Sequence, residues 1–329
     1  MVKRGINYPV YSEDMNNKNN FKKEKKVSPA GIVITCIVIV FVVSLFITLL
    51  SSNFKKTGSN TAIIKINGEL FTGSGNTGVT GTYSDEIISF VNDAIKNKNV
   101  KAILFEIDSP GGSAVASKEI ADAVKLARQN GILTVAYIRE TGASGAYWVA
   151  SSCDYIVASP MSIVGSIGVI GSYLEYSGLL ERFNVTYERL VGGQYKDIGS
   201  PYKELTPAER EILQNIINKI YDNFVNEVSV NRNISLSQTY NLANGLFYLG
   251  EDAKQLGLVD SVGTKEDAFA YIENKENMTV KTYSYSSSNS LLGLYGMQSR
   301  IAFWIGKGIG SSLVEKGFSV DNQLNIKAQ

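Results

Sequence analysis

The sequence predicts an α/β fold carried behind one N-terminal transmembrane helix. Three features predict it: β-branched runs alternating with amphipathic helical patterns, glycine-rich segments at the ends of apolar runs, and a long uncharged stretch near the start. The chain has 329 residues with 32 Lys plus Arg against 31 Asp plus Glu, no His and two Cys. Without histidine there is no Ser-His-Asp or Cys-His apparatus and no His-ligated metal. Any general base is then Lys, a carboxylate, Tyr or water. Two cysteines make neither a four-thiolate metal site nor a disulfide scaffold, and Cys153 reads as a buried small hydrophobe. A net charge of +1 offers no polybasic field, so no nucleic-acid partner is expected.

Residues 1–29 carry seven basic and three acidic side chains and read as a cytoplasmic tail. Ala30 to Leu50 follows, 21 residues without a charge. At 1.5 Å per residue that run spans about 30 Å, the thickness of a bilayer's hydrocarbon core. The flanking positive charge predicts a single-pass anchor, with the N-terminus cytoplasmic and the rest outside the cell membrane. A cleaved signal peptide fits less well, because the run is longer than a usual signal core and no small-x-small site follows Leu50.

Residues 51–60 form a polar linker to an extracytoplasmic domain at 61–285. Ala62 to Ile66 is a first strand, Ile87, Ile88, Val91 and Ile95 mark a helix, and Val100 to Ile107 is a second strand. Val115 to Ala127 has helical spacing, and Leu133 to Ile138 is a third strand. Tyr155 to Ala158, Val164 to Ile170, a helix near Tyr173 to Phe183 and a strand Val185 to Val191 follow. Thr206-Pro207-Ala208-Glu209 is a helix start, with Thr as cap, Pro in the first turn and Glu at the third position. The helix it opens carries Leu213, Ile216, Ile217, Ile220, Phe224 and Val228, an apolar stripe suited to a core or a neighbouring subunit. Leu258 to Val262, a helix near Lys265 to Glu273 and Thr279 to Tyr285 complete the domain, and 286–329 is a tail. Strands alternating with helices imply parallel crossovers.

Two segments at strand ends carry candidate chemistry. Asp108-Ser109-Pro110-Gly111-Gly112-Ser113 turns from a strand into a helix, and its amides can face an anion, although the pattern alone favours a plain connecting turn. It is neither a Gly-x-Gly-x-x-Gly loop nor a Walker loop. In Gly142-Ala143-Ser144-Gly145-Ala146, tiny neighbours leave the Ser144 hydroxyl open to a substrate carbonyl and let the Gly145 N–H approach an oxyanion. Close packing of a helix on a sheet explains the same small residues. Ser109, Ser113, Ser162 and Ser166 are weaker candidates in ordinary turn or strand settings. A serine nucleophile without histidine needs a base such as a desolvated lysine. Lys196, on the glycine-flanked segment Gly192 to Ser200, is one candidate, with Asp197 beside it as an argument for a charged, solvated side chain.

Together these motifs, with Thr141 to Trp148, Gly165-Ser166-Ile167-Gly168, Tyr195-Lys196-Asp197 and Gly250 to Asp260, resemble the short, membrane-anchored form of bacterial signal peptide peptidase A over roughly residues 60–285. The resemblance implies a Clp-protease or crotonase-like α/β fold. It implies Ser144 as nucleophile, Lys196 as general base and the amides of Gly111 and Gly145 as oxyanion donors. It also implies a membrane-tethered homo-oligomeric ring in which adjacent subunits supply the serine and the lysine. Its substrates are cleaved signal peptides and other extended peptides, and no metal or organic cofactor is required. Two rival readings are a crotonase-like acyl-CoA enzyme and a catalytically silent membrane scaffold.

Overall fold

In the computed structural model, residues 58–75 and 80–285 are described, with five helical residues at 38, 39 and 41–43. The uncharged run 30–50 otherwise lies outside the described residues, as do the N-terminal tail and residues 286–329. Among the described residues no helix is long and apolar enough to cross a membrane.

The domain is built on a mostly parallel sheet. Strands β1 (Thr61–Asn67), β4 (Ala102–Ser109), β5 (Leu133–Ala143) and β6 (Tyr155–Ala158) lie side by side and parallel. β10 (Thr282–Tyr285) pairs with β1 at one edge, and β9 (Ser261–Val262) pairs with β6 at the other. β7 (Ile163–Gly165) lies parallel to the end of β5 and antiparallel to β8 (Phe247–Leu249). A separate ribbon joins β2 (Leu70–Phe71) to β3 (Thr82–Tyr83). β4 is buried along nearly its whole length, as expected of a strand covered on both faces.

One face of the sheet packs on helices α1 (Ser84–Lys96), α2 (Ala114–Gln129), α3 (Gly145–Ser151) and α5 (Pro207–Arg232) through a large core that includes Ile64, Phe105, Ile120, Val124, Tyr147 and Phe224. The other face, with Ile63, Leu104, Val135 and Val157, is covered by Ala268 and Ile272 of α8 (Lys265–Glu276). Short helices α4 (Ser177–Arg182), α6 (Leu236–Leu242) and α7 (Gly250–Gln255) fill the connections. Cys153 is buried in the larger core, and burial pushes its thiol up.

The start of α5 follows its sequence signature. Thr206 Oγ1 accepts from the Glu209 N–H at 3.3 Å, and the Glu209 carboxylate accepts from the Thr206 N–H at 3.0 Å. The expected strand Val185 to Val191 is absent. Its alternating apolar residues find no sheet edge, and residues 183–196 are exposed. The expected strand Val164 to Ile170 shortens to β7, because Ser166 takes a positive φ of 49° and turns the chain away.

Candidate active site

The chemistry gathers where β4 and β5 end beside each other. Ser109 lies opposite Gly142, after a register shift that follows Ile107. The loop Pro110 to Ser113 and the turn Ala143 to Gly145 are thereby brought into contact. A Cβ on Gly111 would fall 2.7 Å from the Gly145 nitrogen and 2.9 Å from Ser144 Cβ, and the Gly111 φ is 96°. Only glycine fits there.

Ser144 sits on a sharp strand-to-helix turn with φ 52° and ψ −125°. A positive φ at a serine is strained and is held by its surroundings. Its N–H donates to the Gly165 carbonyl at 2.8 Å, and its carbonyl accepts from Trp148 N–H at 3.0 Å. The half-buried hydroxyl-bearing side chain faces a cleft of about 700 Å³. Gly145 opens α3, so its N–H has no preceding helical turn to bond.

The second glycine loop is locked to β2. Leu70 N–H donates to the Gly111 carbonyl and Ser113 N–H to the Leu70 carbonyl, each at 2.9 Å. This pairing leaves Gly112's own N–H and C=O outside the ladder. Gly111 N–H donates to the buried Ser109 hydroxyl at 3.1 Å. Of the two glycines it is Gly112 that lines the cleft.

The cleft is lined by Pro110 and Ser113, by Ser166 and Ile170, and by Tyr221 and Phe224 of α5, together with Ser144 and Trp148. Among the described residues its lining holds no carboxylate, lysine or arginine. Tyr221 in that lining donates its hydroxyl to the Ala243 carbonyl at 2.8 Å, and burial raises its pKa. No metal-binding cluster of acidic, His or Cys side chains occurs among the described residues.

Lys196 is not in this lining. It is exposed on the turn 193–199, its N–H bonded to the Gly193 carbonyl at 3.2 Å. Among the described residues it forms no ion pair with Asp197, which pairs with Arg189 instead. One chain therefore unites Ser144, Gly145 and the Gly111–Gly112 loop and leaves Lys196 elsewhere. Trp148, Tyr221, Phe224 and Ala243 were not singled out from sequence as site residues. Trp148 carries a signal, since position i+4 from Ser144 on a helix shares its face. Phe224 and Tyr221 read in sequence only as core stripe.

A Methanocaldococcus jannaschii protein provisionally named a protease is 41% identical over 230 residues, covering 69% of this chain and 72% of its own. The family model described as Peptidase family S49 matches residues 126–279. The chain belongs to peptidase family S49. Within it the relatives place this S49 peptidase among the signal peptide peptidase A proteins. An Enterococcus faecium protein provisionally named signal peptide peptidase SppA is 33% identical over 232 residues, 70% of this chain and 67% of that one. Protease 4 of Salmonella typhi is 36% identical over 214 residues, and the match spans 34% of that longer chain. The family match takes in Ser144 and Lys196 of this S49 peptidase and begins after Gly111.

Proposed function

We propose that this S49 peptidase is a membrane-anchored serine endopeptidase of Clp-protease-like architecture, in which Ser144 is the nucleophile and Lys196 of a neighbouring copy is the general base. The observation that carries the reading is a strained, cleft-facing serine in a lining that holds no lysine or carboxylate among the described residues. An exposed lysine on a separate turn supplies what the cleft lacks once subunits associate. The surface around that turn supports association, since Ile170 is 91% and Leu190 89% exposed, and Leu174 and Phe183 are also bare. A homo-oligomeric ring would cover them.

A neutral lysine amine takes the Ser144 proton as Oγ attacks the substrate carbonyl. The oxyanion is met by the Gly145 N–H and by the Gly111–Gly112 loop. Gly112 N–H is the donor left outside the β2 ladder, whereas Gly111 N–H is engaged by Ser109 and would have to exchange that partner. The lysine ammonium returns its proton to the departing amine, and water releases the acyl group from Ser144. Metal and cofactor play no part in these steps. An uncharged cleft walled by Trp148, Phe224 and Ile170 suits apolar peptides, and residues 30–50 as an anchor would hold it beside the membrane where cleaved signal peptides remain.

Labelling of the detergent-solubilised full chain with a fluorophosphonate, read by intact mass, tests the assignment. Wild type gains one adduct, and Ser144→Ala and Lys196→Ala lose it while keeping their melting temperature. An adduct on folded Ser144→Ala sinks the nucleophile. A folded wild type that neither labels nor cleaves peptides is the silent scaffold, and thioester binding would mark the acyl-CoA enzyme.

A further inference from the structure

Behind the apolar wall of the cleft lies a cluster of charges that the proposed chemistry does not use. Trp148 forms part of that wall and is only 3% exposed. Its ring stacks on Phe224 with centroids 4.6 Å apart and planes 8° from parallel. Its indole N–H donates to Glu227 Oε2 at 2.9 Å. Glu227 lies three residues after Phe224 on α5, so one helix face supplies both the ring partner and the acceptor.

The Glu227 carboxylate is 16% exposed and is gripped from α2. Lys125 Nζ lies 2.5 Å from Oε2 and Lys118 Nζ 3.2 Å from Oε1. Lys118 also reaches Asp122 at 2.5 Å, and Lys125 lies 4.0 Å from the same carboxylate. A half-buried carboxylate that needs two lysines is a costly way to fill space between helices, since an apolar side chain would fill it without desolvating an ion. What the carboxylate alone provides is a directional acceptor for the indole. With its N–H committed and its face stacked, the ring has one orientation. Without the acceptor the N–H is stranded and the ring is free to turn toward the cleft.

We propose that Glu227 is a positioning residue for substrate selection, fixing the plane of Trp148 so that the pocket beside Ser144 has a single depth for the substrate side chain. The inference rests on the peptidase reading above. Its consequence is selectivity among apolar side chains of different length, which a residue serving stability alone would not control.

The test uses the full chain in a Trp304→Phe background, where Trp148 is the remaining tryptophan. Glu227→Leu removes the acceptor, and Glu227→Gln keeps an acceptor while removing the charge. Glu227→Leu is expected to change the ratio of kcat/KM between peptides with Leu and Ala at the cleaved bond by about fivefold or more, chiefly through KM. Glu227→Gln should stay within about twofold of wild type, and acrylamide quenching of Trp148 should rise in the Leu variant alone. A uniform fall for all peptides with an unchanged ratio overturns the proposal. If Glu227→Leu does not fold, Trp148→Phe keeps the stack and lacks the N–H, and an unchanged ratio in that folded variant overturns it equally. If wild type cleaves none of the peptides the peptidase reading fails, while quenching unchanged in folded Glu227→Leu independently refutes the positioning of the ring.

Discussion

Asp197 grips Arg189 and not the lysine beside it. Both Nε and Nη2 of Arg189 donate to its carboxylate, the latter at 2.7 Å, and Lys203 lies 4.0 Å away. The guanidinium holds the Asp197 carboxyl down at about 2. Because this pKa is depressed, the pair's contribution to stability is full above the ordinary carboxylate range near about 4. It is lost as pH falls through about 2.

Arg189→Leu should therefore return the Asp197 titration toward the ordinary range, read by carboxyl NMR. The freed carboxylate then lies next to Lys196 in sequence and competes for its amine, so kcat/KM should fall. An Asp197 titration unmoved by the substitution would break this account.

Gly145 is closed to any side chain by Ser117. A Cβ there would fall 2.0 Å from Ser117 Oγ, which is itself bonded to the Ser113 carbonyl at 2.8 Å. Gly145→Ala is expected to cost about 1–3 kcal/mol and to reduce fluorophosphonate labelling. Adding Ser117→Ala removes the overlapping oxygen and should recover most of the stability in a urea titration. A double variant no more stable than the single one would place the strain elsewhere.

If the serine and lysine of each site come from adjacent copies, two dead variants complement each other. Ser144→Ala and Lys196→Ala subunits mixed in equal amounts and reassembled at random put an intact pair at about a quarter of the sites. Recovery of about that fraction of wild-type activity is expected. No recovery from well-mixed, assembled subunits would put both residues in one chain's site.

Arg232 ties the far end of α5 to the sheet. It is 7% exposed, donates Nη2 to Asp260 at 2.8 Å and Nε to the Gly257 carbonyl at 3.1 Å, while Asp260 also accepts from Ile156 N–H. Asp260→Ala strands a buried guanidinium and a strand amide, with an expected cost of about 3 kcal/mol. A thermal or denaturant midpoint unchanged from wild type would show that water compensates the pair.

The local grammar of the chain is legible in its sequence alone. The parallel crossovers, the capping box at Thr206 and the apolar character of β4 follow from residue spacing, because helix caps and strand alternation are settled within a few residues. The same holds for the small residues around Ser144. An absence of histidine likewise restricted any serine chemistry to other bases before a single distance was known.

Only the tertiary structure decided how those pieces meet. The strand expected at Val185 to Val191 failed because a strand needs an edge to pair with, and no local pattern reveals whether one is available. That Gly111 is spent on Ser109 while Gly112 opens to the cleft depends on the ladder with Leu70, about forty residues away in sequence. The partners of Trp148 were invisible for the same reason, since Phe224 and Glu227 reach it from a helix opening at Pro207. Sequence specified which residues were small, apolar or charged; the long-range packing of α5 on α3 and of β2 on the glycine loop decided which of them face the cleft.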